Sequence, residues 1–247
     1  GEDRLLGISD NHQRVCFALA LWNGRDPILK ERLFGLSGQR GSHGEDVKEL
    51  YYYLDSTPTH SYMKALYKYP QREFPYAALN AGGRRPKTAM EFELMDTGVF
   101  DDDRYFDVFA EYAKADADDV LIRVTVVNRG PERAPVHVLP TLWFRNRWNW
   151  DGTRPRPVVL QVGVEMVEVE EETLGHYELW AEKPDEWLFT ENESNGGALW
   201  GLTGGNGLYK DSIGRRVIGR HESDRSLIAR TDTDRLSIAT PLPERHA

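Results

Sequence analysis

The sequence predicts a mainly β protein, an antiparallel β-sandwich with a few short helices. Three observations carry that prediction. Tyr105, Asp107, Phe109 and Glu111 alternate with Phe106, Val108, Ala110 and Tyr112, and Val120, Ile122, Val124 and Val126 alternate with Leu121, Arg123, Thr125 and Val127. That period of two, rich in β-branched and aromatic residues, fits half-buried pleated strands. Short apolar runs are punctuated throughout by Gly, Pro, Asn and Asp. Helical spacing is confined to short stretches, with nothing resembling a set of long helices.

In chain order, residues 4–10 and 14–22 read as two strands joined through Asp10, Asn11, His12 and Gln13, a good turn tetrad. Asn23 and Gly24 end the second. Residues 27–35 predict a short helix, with Asp26 as N-cap, Pro27 in the first turn and Gly35 as C-cap. A Gly- and Ser-rich loop follows over 37–45, leading into a polar cluster of His43, Glu45, Asp46, Lys48 and Glu49. Residues 51–54 read as a strand and 55–59 as a turn around Pro58. Over 62–70 the pattern fits either state: Met63, Leu66 and Tyr67 keep helical spacing, whereas Tyr62, Lys64, Lys68 and Tyr69 suit a strand. A helical turn is expected at 74–80, a loop at 80–87, and strands at 90–96 and 104–114, separated by Thr97, Gly98 and the acidic run Asp101, Asp102, Asp103.

The strongest β signal is 119–150. Its alternating first arm meets Asn128, Arg129, Gly130 and Pro131. Gly130 tolerates φ > 0 and Pro131 lacks a ladder donor, so a hairpin reversal is expected there. The return arm, from Val136, runs into Trp143, Phe144, Arg145, Asn146, Arg147, Trp148, Asn149 and Trp150. Aromatic faces interleaved with Arg and Asn suit stacking and hydrogen bonding to a sugar, though spacing alone favours a sandwich core with Arg at the strand ends. Beyond it, 158–170 reads as one long alternating strand, and 175–182, 186–191 and 198–202 as further strands. Residues 204–207 form a Gly-rich loop without the pattern of a phosphate-binding motif.

The 7 Trp, 9 Phe and 11 Tyr all precede residue 210. Residues 211–247 therefore read as a separate, irregular tail, with 216–218 and 236–239 as possible edge strands. A net charge of −9 excludes general affinity for nucleic acid, which needs a basic footprint. No apolar run approaches the roughly 18 residues of a membrane-spanning helix. Cys16 is the single cysteine, so an internal disulfide is impossible and a Cys-based zinc site lacks ligands. Scarce cysteine favours a reducing, cytoplasmic setting.

Paired carboxylates could supply acid–base chemistry. The clusters available are Glu45, Asp46, Glu49 and Asp55; Asp101 to Asp103; and Glu191 with Glu193. With 40 acidic residues such clusters arise readily as solvated faces or turns. No GxSxG elbow exists; His12, His60, His137 and His176 are scattered. No metal-ligand spacing or cofactor motif is present, so neither metal nor cofactor is expected.

Several uncommon strings stand out: ALWNGRDPILKERLFG at 20–35, HGEDVKE at 43–49, YYYLDSTPTHSYMK at 51–64, DTGVFDDDRYFDVF at 96–109 and TLWFRN at 141–146. Together they make most of residues 1–210 resemble glycoside hydrolase family 63-type glucosidases, which are similar to mannosyl-oligosaccharide glucosidases. The resemblance implies an N-terminal supersandwich over 1–210, with a catalytic (α/α)6 barrel, absent from this chain, carrying the acid and base carboxylates. No catalytic residue can then be assigned here. It further implies a domain that supports the barrel, in cis or in trans, and helps wall a carbohydrate site. Residues expected near sugar are His43, Glu45, Asp46, Lys48, Asp55, His60, Tyr62, Trp143, Arg145, Asn146, Trp148 and Trp150. The segment 145–150 has a further candidate role at an interdomain seam. A stand-alone carbohydrate-binding or assembly module is the alternative.

Overall fold

The computed structural model describes residues 4–36, 46–86, 88–201, 207–219, 232–233 and 235–241, with only the backbone of 151 and 232–241. The strands are β1 (Ile8–Ser9), β2 (Val15–Trp22), β3 (Tyr51–Ser56), β4 (Tyr62–Pro70), β5 (Tyr105–Lys114), β6 (Val120–Asn128), β7 (His137–Phe144), β8 (Val158–Gln161), β9 (Met166–Glu171), β10 (Gly175–Trp180), β11 (Glu186–Thr190), β12 (Asp232–Thr233) and β13 (Arg235–Pro241). Four short helices accompany them: α1 (Tyr76–Gly82), α2 (Trp148–Asp151), α3 (Gly196–Trp200) and α4 (Asp211–Gly219). The chain is thus mainly β, and among the described residues the named strands all pair antiparallel. It divides into two compact units, one of Asn23–Val136 with residues 4–6, the other of Gly7–Trp22 with residues 137–241.

The first unit is built on a four-stranded sheet ordered β3-β4-β5-β6. Register places Tyr67 opposite Val108 and Tyr69 opposite Phe106, all essentially inaccessible to solvent. Ala110 and Tyr112 continue that buried face, so the alternation along β5 marks an inner and an outer side. The outer side carries a cross-strand charge ladder. Glu111 accepts from Arg123 Nε and Nη2, both at 2.9 Å, and from the Tyr62 hydroxyl at 2.8 Å. These donors hold its carboxyl down at about 2. Asp107 is held in the same way between Lys68 and Arg129, each at 2.6 Å.

A buried polar network shapes residues 23–36. Lys30 is 1% exposed, and its ammonium meets Glu49 Oε1 at 2.6 Å and lies 3.6 Å from the Phe74 ring centroid. Glu49 also accepts the Phe34 amide at 3.0 Å and the Tyr67 hydroxyl at 2.7 Å. Burial penalises the Lys30 ammonium, but the charge of Glu49 outweighs this and keeps its pKa raised. Asp26 accepts from Tyr69 at 2.6 Å and from the Phe74 amide at 2.7 Å, while Asn23 donates to the carbonyls of Pro70 and Arg72. Here the expected helix over 27–35 does not form. Asp26 uses its carboxylate on Phe74 and Tyr69 rather than capping its own segment. The chain instead makes single bridges, Arg4 with Arg32 and Gly35 with Val47.

The second unit contains two sheets, one ordered β1-β2-β7-β13-β11 and the other β10-β9-β8-β12. Side chains from both sheets, Phe144, Val159, Val167, Val169, Trp187 and Phe189, form one core with Trp148 of α2, flanked by Val15, Leu142, Tyr177 and Leu179. Strands packing apolar faces in this way make a β-sandwich.

Several other expectations are corrected. β6 and β7 do not form a hairpin: β6 pairs with β5, whereas β7 is flanked on both sides, by β2 and β13. Gly130 keeps an ordinary φ, and a side chain there would collide with Gln71 at 2.8 Å. The Asn128 side chain organises the exit, accepting from the Gly130 amide at 2.9 Å and donating to the Glu132 carbonyl at 2.7 Å. Residues 158–170 are two strands, because 162–165 turn with the Val162 and Gly163 amides both donating to Met166 O. Residues 90–96 are not a strand; Glu93 and Asp96 cap each other around a 3-10 turn, Leu94–Thr97. Of the strand expected at 198–202, residues 198–200 fall on α3 and 202 lies outside the described residues; 216–218 fall on α4. Asn195 caps α3 through Ala198 at 3.0 Å, and Ile213 and Val217, four apart, bury one face of α4. The described part of 211–247 is therefore a helix and strands, with β13 inside its sheet rather than at an edge. Residues 62–70, open between helix and strand, are β4.

Candidate functional site

The second unit carries a concave site of about 380 Å³ at one end of its five-stranded sheet. Its geometry follows from a turn, a register and a one-turn helix. In the β1–β2 turn the Asp10 carboxylate accepts the amides of His12 and Val15 at 3.0 Å and Arg14 Nε at 2.9 Å. Burial raises the Asp10 carboxyl, but the hydrogen bonds from Arg14 and these amides outweigh it and leave it lowered and ionised. The turn thus presents His12 and fixes Arg14. The β2–β7 register pairs Val15 with Phe144, and the Arg145 amide donates to Arg14 O at 2.9 Å. Arg14 and Arg145, far apart in sequence, become neighbours.

After Arg145 the chain makes the single turn α2 and leaves it through Gly152, at φ +69°. That turn separates its two tryptophans. Trp148 is 6% exposed and lies in the sandwich core, whereas Trp150 is 69% exposed and lines the pocket. The Arg145 guanidinium sits 5.3 Å from the Trp150 ring centroid, within the range of a cation–π contact. Arg147 reaches Glu171 Oε1 at 2.9 Å. The second oxygen of Glu171 accepts the Thr173 hydroxyl and amide, each at 2.7 Å, and the Leu174 amide at 2.9 Å. Burial pushes Glu171 up, but these donors and the charge of Arg147 leave it lowered. Thr173 also accepts from Arg14 Nη1 at 3.0 Å, and Arg154 completes the wall.

Of the residues expected near sugar, Trp143, Arg145, Asn146, Trp148 and Trp150 fall in this unit, and only Arg145 and Trp150 line the pocket. Asn146 Oδ1 is buried without a hydrogen-bond partner among the described residues. The Trp148 indole donates to Glu193 Oε1 at 3.3 Å. Glu191 and Glu193 are bridged by Arg156 at 2.7 and 2.6 Å, so this carboxylate pair is held as an ion-pair cluster.

The remaining residues expected near sugar belong to the other unit, apart from His43 and Glu45, which lie outside the described residues. Lys48 is buried, with Asp46, Glu91 and Glu93 around its ammonium; burial opposes the charge, but these carboxylates raise its pKa well above the ordinary lysine range. Asp55 and His60 are exposed, and Tyr62 belongs to the Glu111 ladder. Among the described residues no group of three or more His, Cys, Asp or Glu is arranged to hold a metal ion.

Sequence reasoning missed His12, Arg14, Arg147, Arg154 and Thr173 as pocket residues. One signal was present: four arginines within residues 145–156 of an acidic chain. Arg14 and Thr173 join them only through strand pairing, which no local pattern reveals.

Comparison with known proteins finds no matching family model and no matching solved structure. The chain is similar to an uncharacterized protein of Saccharomyces cerevisiae, 53% identical over 167 residues. That match covers 63% of this chain and 15% of the yeast protein's length.

Proposed function

We propose that this chain is the N-terminal β-sandwich region of a glucosidase-type glycoside hydrolase. It supports a catalytic (α/α)6 barrel, in cis or in trans, and lends the α2 pocket to the wall of the sugar site. The observation carrying this reading is the division of labour between two tryptophans on one turn. Trp148 anchors the turn in the core, and Trp150 offers an open indole face beside the Arg145 and Arg154 guanidinium groups. Aromatic faces pack on the C–H faces of pyranose rings, while guanidinium groups hydrogen-bond to hydroxyls. The antiparallel sandwich agrees with what the resemblance implies for an N-terminal region. The two carboxylates that hold the pocket arginines, Asp10 and Glu171, are committed to structural hydrogen bonds, which suits a wall better than an acid–base pair.

Titration of the protein with α-linked gluco-oligosaccharides, followed by saturation-transfer NMR, tests the reading. Trp150→Ala should weaken binding about two- to twelvefold, the range expected of roughly 0.5–1.5 kcal/mol per aromatic contact. Equal binding by wild type and Trp150→Ala would remove α2 from the sugar site.

A further inference from the structure

We infer that the α2 pocket selects a ligand bearing an oxyanion, a phosphate or carboxylate group on a sugar-sized molecule, rather than a neutral sugar alone. This goes beyond the glucosidase reading and does not depend on it. The chain as a whole is acidic, at −9, yet this one concavity gathers four guanidinium groups and His12. Two of the four are neutralised: Arg14 by Asp10 at 2.9 Å and Arg147 by Glu171 at 2.9 Å. The other two are not. Arg145 contacts the Trp150 ring, and neither it nor Arg154 has a carboxylate partner among the described residues. The exposed Glu172 borders the adjoining narrow cleft, where it faces the same arginines and leaves them in excess.

Guanidinium forks match the geometry of phosphate and carboxylate and bind them bidentately. Arg14 is held by both Asp10 and Thr173, and Arg147 by Glu171, so these two are preorganised, and the exposed Arg145 and Arg154 complete the lining. A volume of about 380 Å³ suits one compact ligand and not a polymer groove. The Thr173 hydroxyl and the open Trp150 face would orient the polar body that carries the charge.

The test is isothermal titration of the protein at low and moderate salt with four probes: inorganic phosphate, glucose 6-phosphate, glucuronate and glucose. Wild type should bind an anionic probe at least tenfold more tightly than glucose, with affinity falling as salt rises. Preference for the phosphate probes or for glucuronate identifies which oxyanion the site takes. Arg145→Ala combined with Arg154→Ala should abolish the preference. Both residues are exposed, so the fold should persist, as circular dichroism would verify. Arg123→Ala, which removes a positive charge from the other unit, should leave the affinity unchanged. Glucose binding as tightly as the anions, no anion binding, or an anion affinity unaltered by the double substitution would each overturn the inference. Any of these would leave the effect of Trp150→Ala on neutral oligosaccharides as a separate question.

Discussion

Lys30 shows how one side chain decides the course of a segment. Its ammonium is fully buried, so it persists only because Glu49, 2.6 Å away, supplies the opposite charge and the Phe74 face covers it. Removing one partner of such a pair leaves a buried charge uncompensated and costs about 3–5 kcal/mol. Glu49→Gln should therefore lower stability by that order, read from the denaturant midpoint. Adding Lys30→Met should recover most of the loss, because glutamine keeps one oxygen to accept the Phe34 amide while its NH2 group can donate to the Tyr67 hydroxyl oxygen. No recovery would place the energy in the Glu49 hydrogen bonds instead of the ion pair. Asn23, Asp26, Lys30, Lys48 and Glu49 all lie in the uncommon strings at 20–35 and 43–49. The structure accounts for those polar residues through packing of the first unit. Nothing local in the sequence distinguishes a buried, paired lysine from a solvated one, which is why Lys48 and Asp46 read equally well as sugar contacts. The same limit applied to Trp148 and Trp150, two positions apart and alike in composition, yet one in the core and one open.

At the scale of elements, alternation identified strands where a more covered face alternates with a wetter one, as in β6 and β10. It failed where topology overrode local turn chemistry. Asn128 to Pro131 has the composition of a reversal, but β7 already has β2 and β13 on its two sides, so the chain passes to another sheet. It also failed across 162–165, where apolar alternation runs unbroken through a tight turn. Helices as short as α3 and α4 were read as strands because one apolar turn is too brief to display a 3.6 period. The α2 turn is the element on which the site depends. Its exit residue Gly152 has φ +69°, a conformation that costs a residue with a side chain roughly 1–2 kcal/mol. Space is open around it, so Gly152→Ala should destabilise by about 1 kcal/mol through backbone strain alone. It should also weaken ligand binding by loosening the turn that carries Trp150. An unchanged melting temperature and unchanged affinity would show that the turn does not position the indole.

For the whole molecule, two units bring different resources. The first is a four-stranded sheet with a charge ladder outside and a buried polar network within. The second is a sandwich whose sheet end carries a basic, aromatic-lipped pocket. Among the described residues no helix is long and apolar enough to cross a membrane. The mainly β, antiparallel character was legible from period and punctuation. The pocket was legible only in its Arg145–Trp150 edge, since His12, Arg14 and Thr173 join it through contacts between residues more than a hundred positions apart. The chain spans 15% of the curated relative it matches, so the activity of a longer protein is a proposal and not a property read from these sheets. The central claim is that this chain shapes and walls a sugar site while the acid and base lie elsewhere. Incubating the purified chain with aryl α-glucosides tests that claim most directly. The account predicts no release of the aryl group above the uncatalysed rate. Turnover that disappears on substitution of a carboxylate within this chain would contradict it.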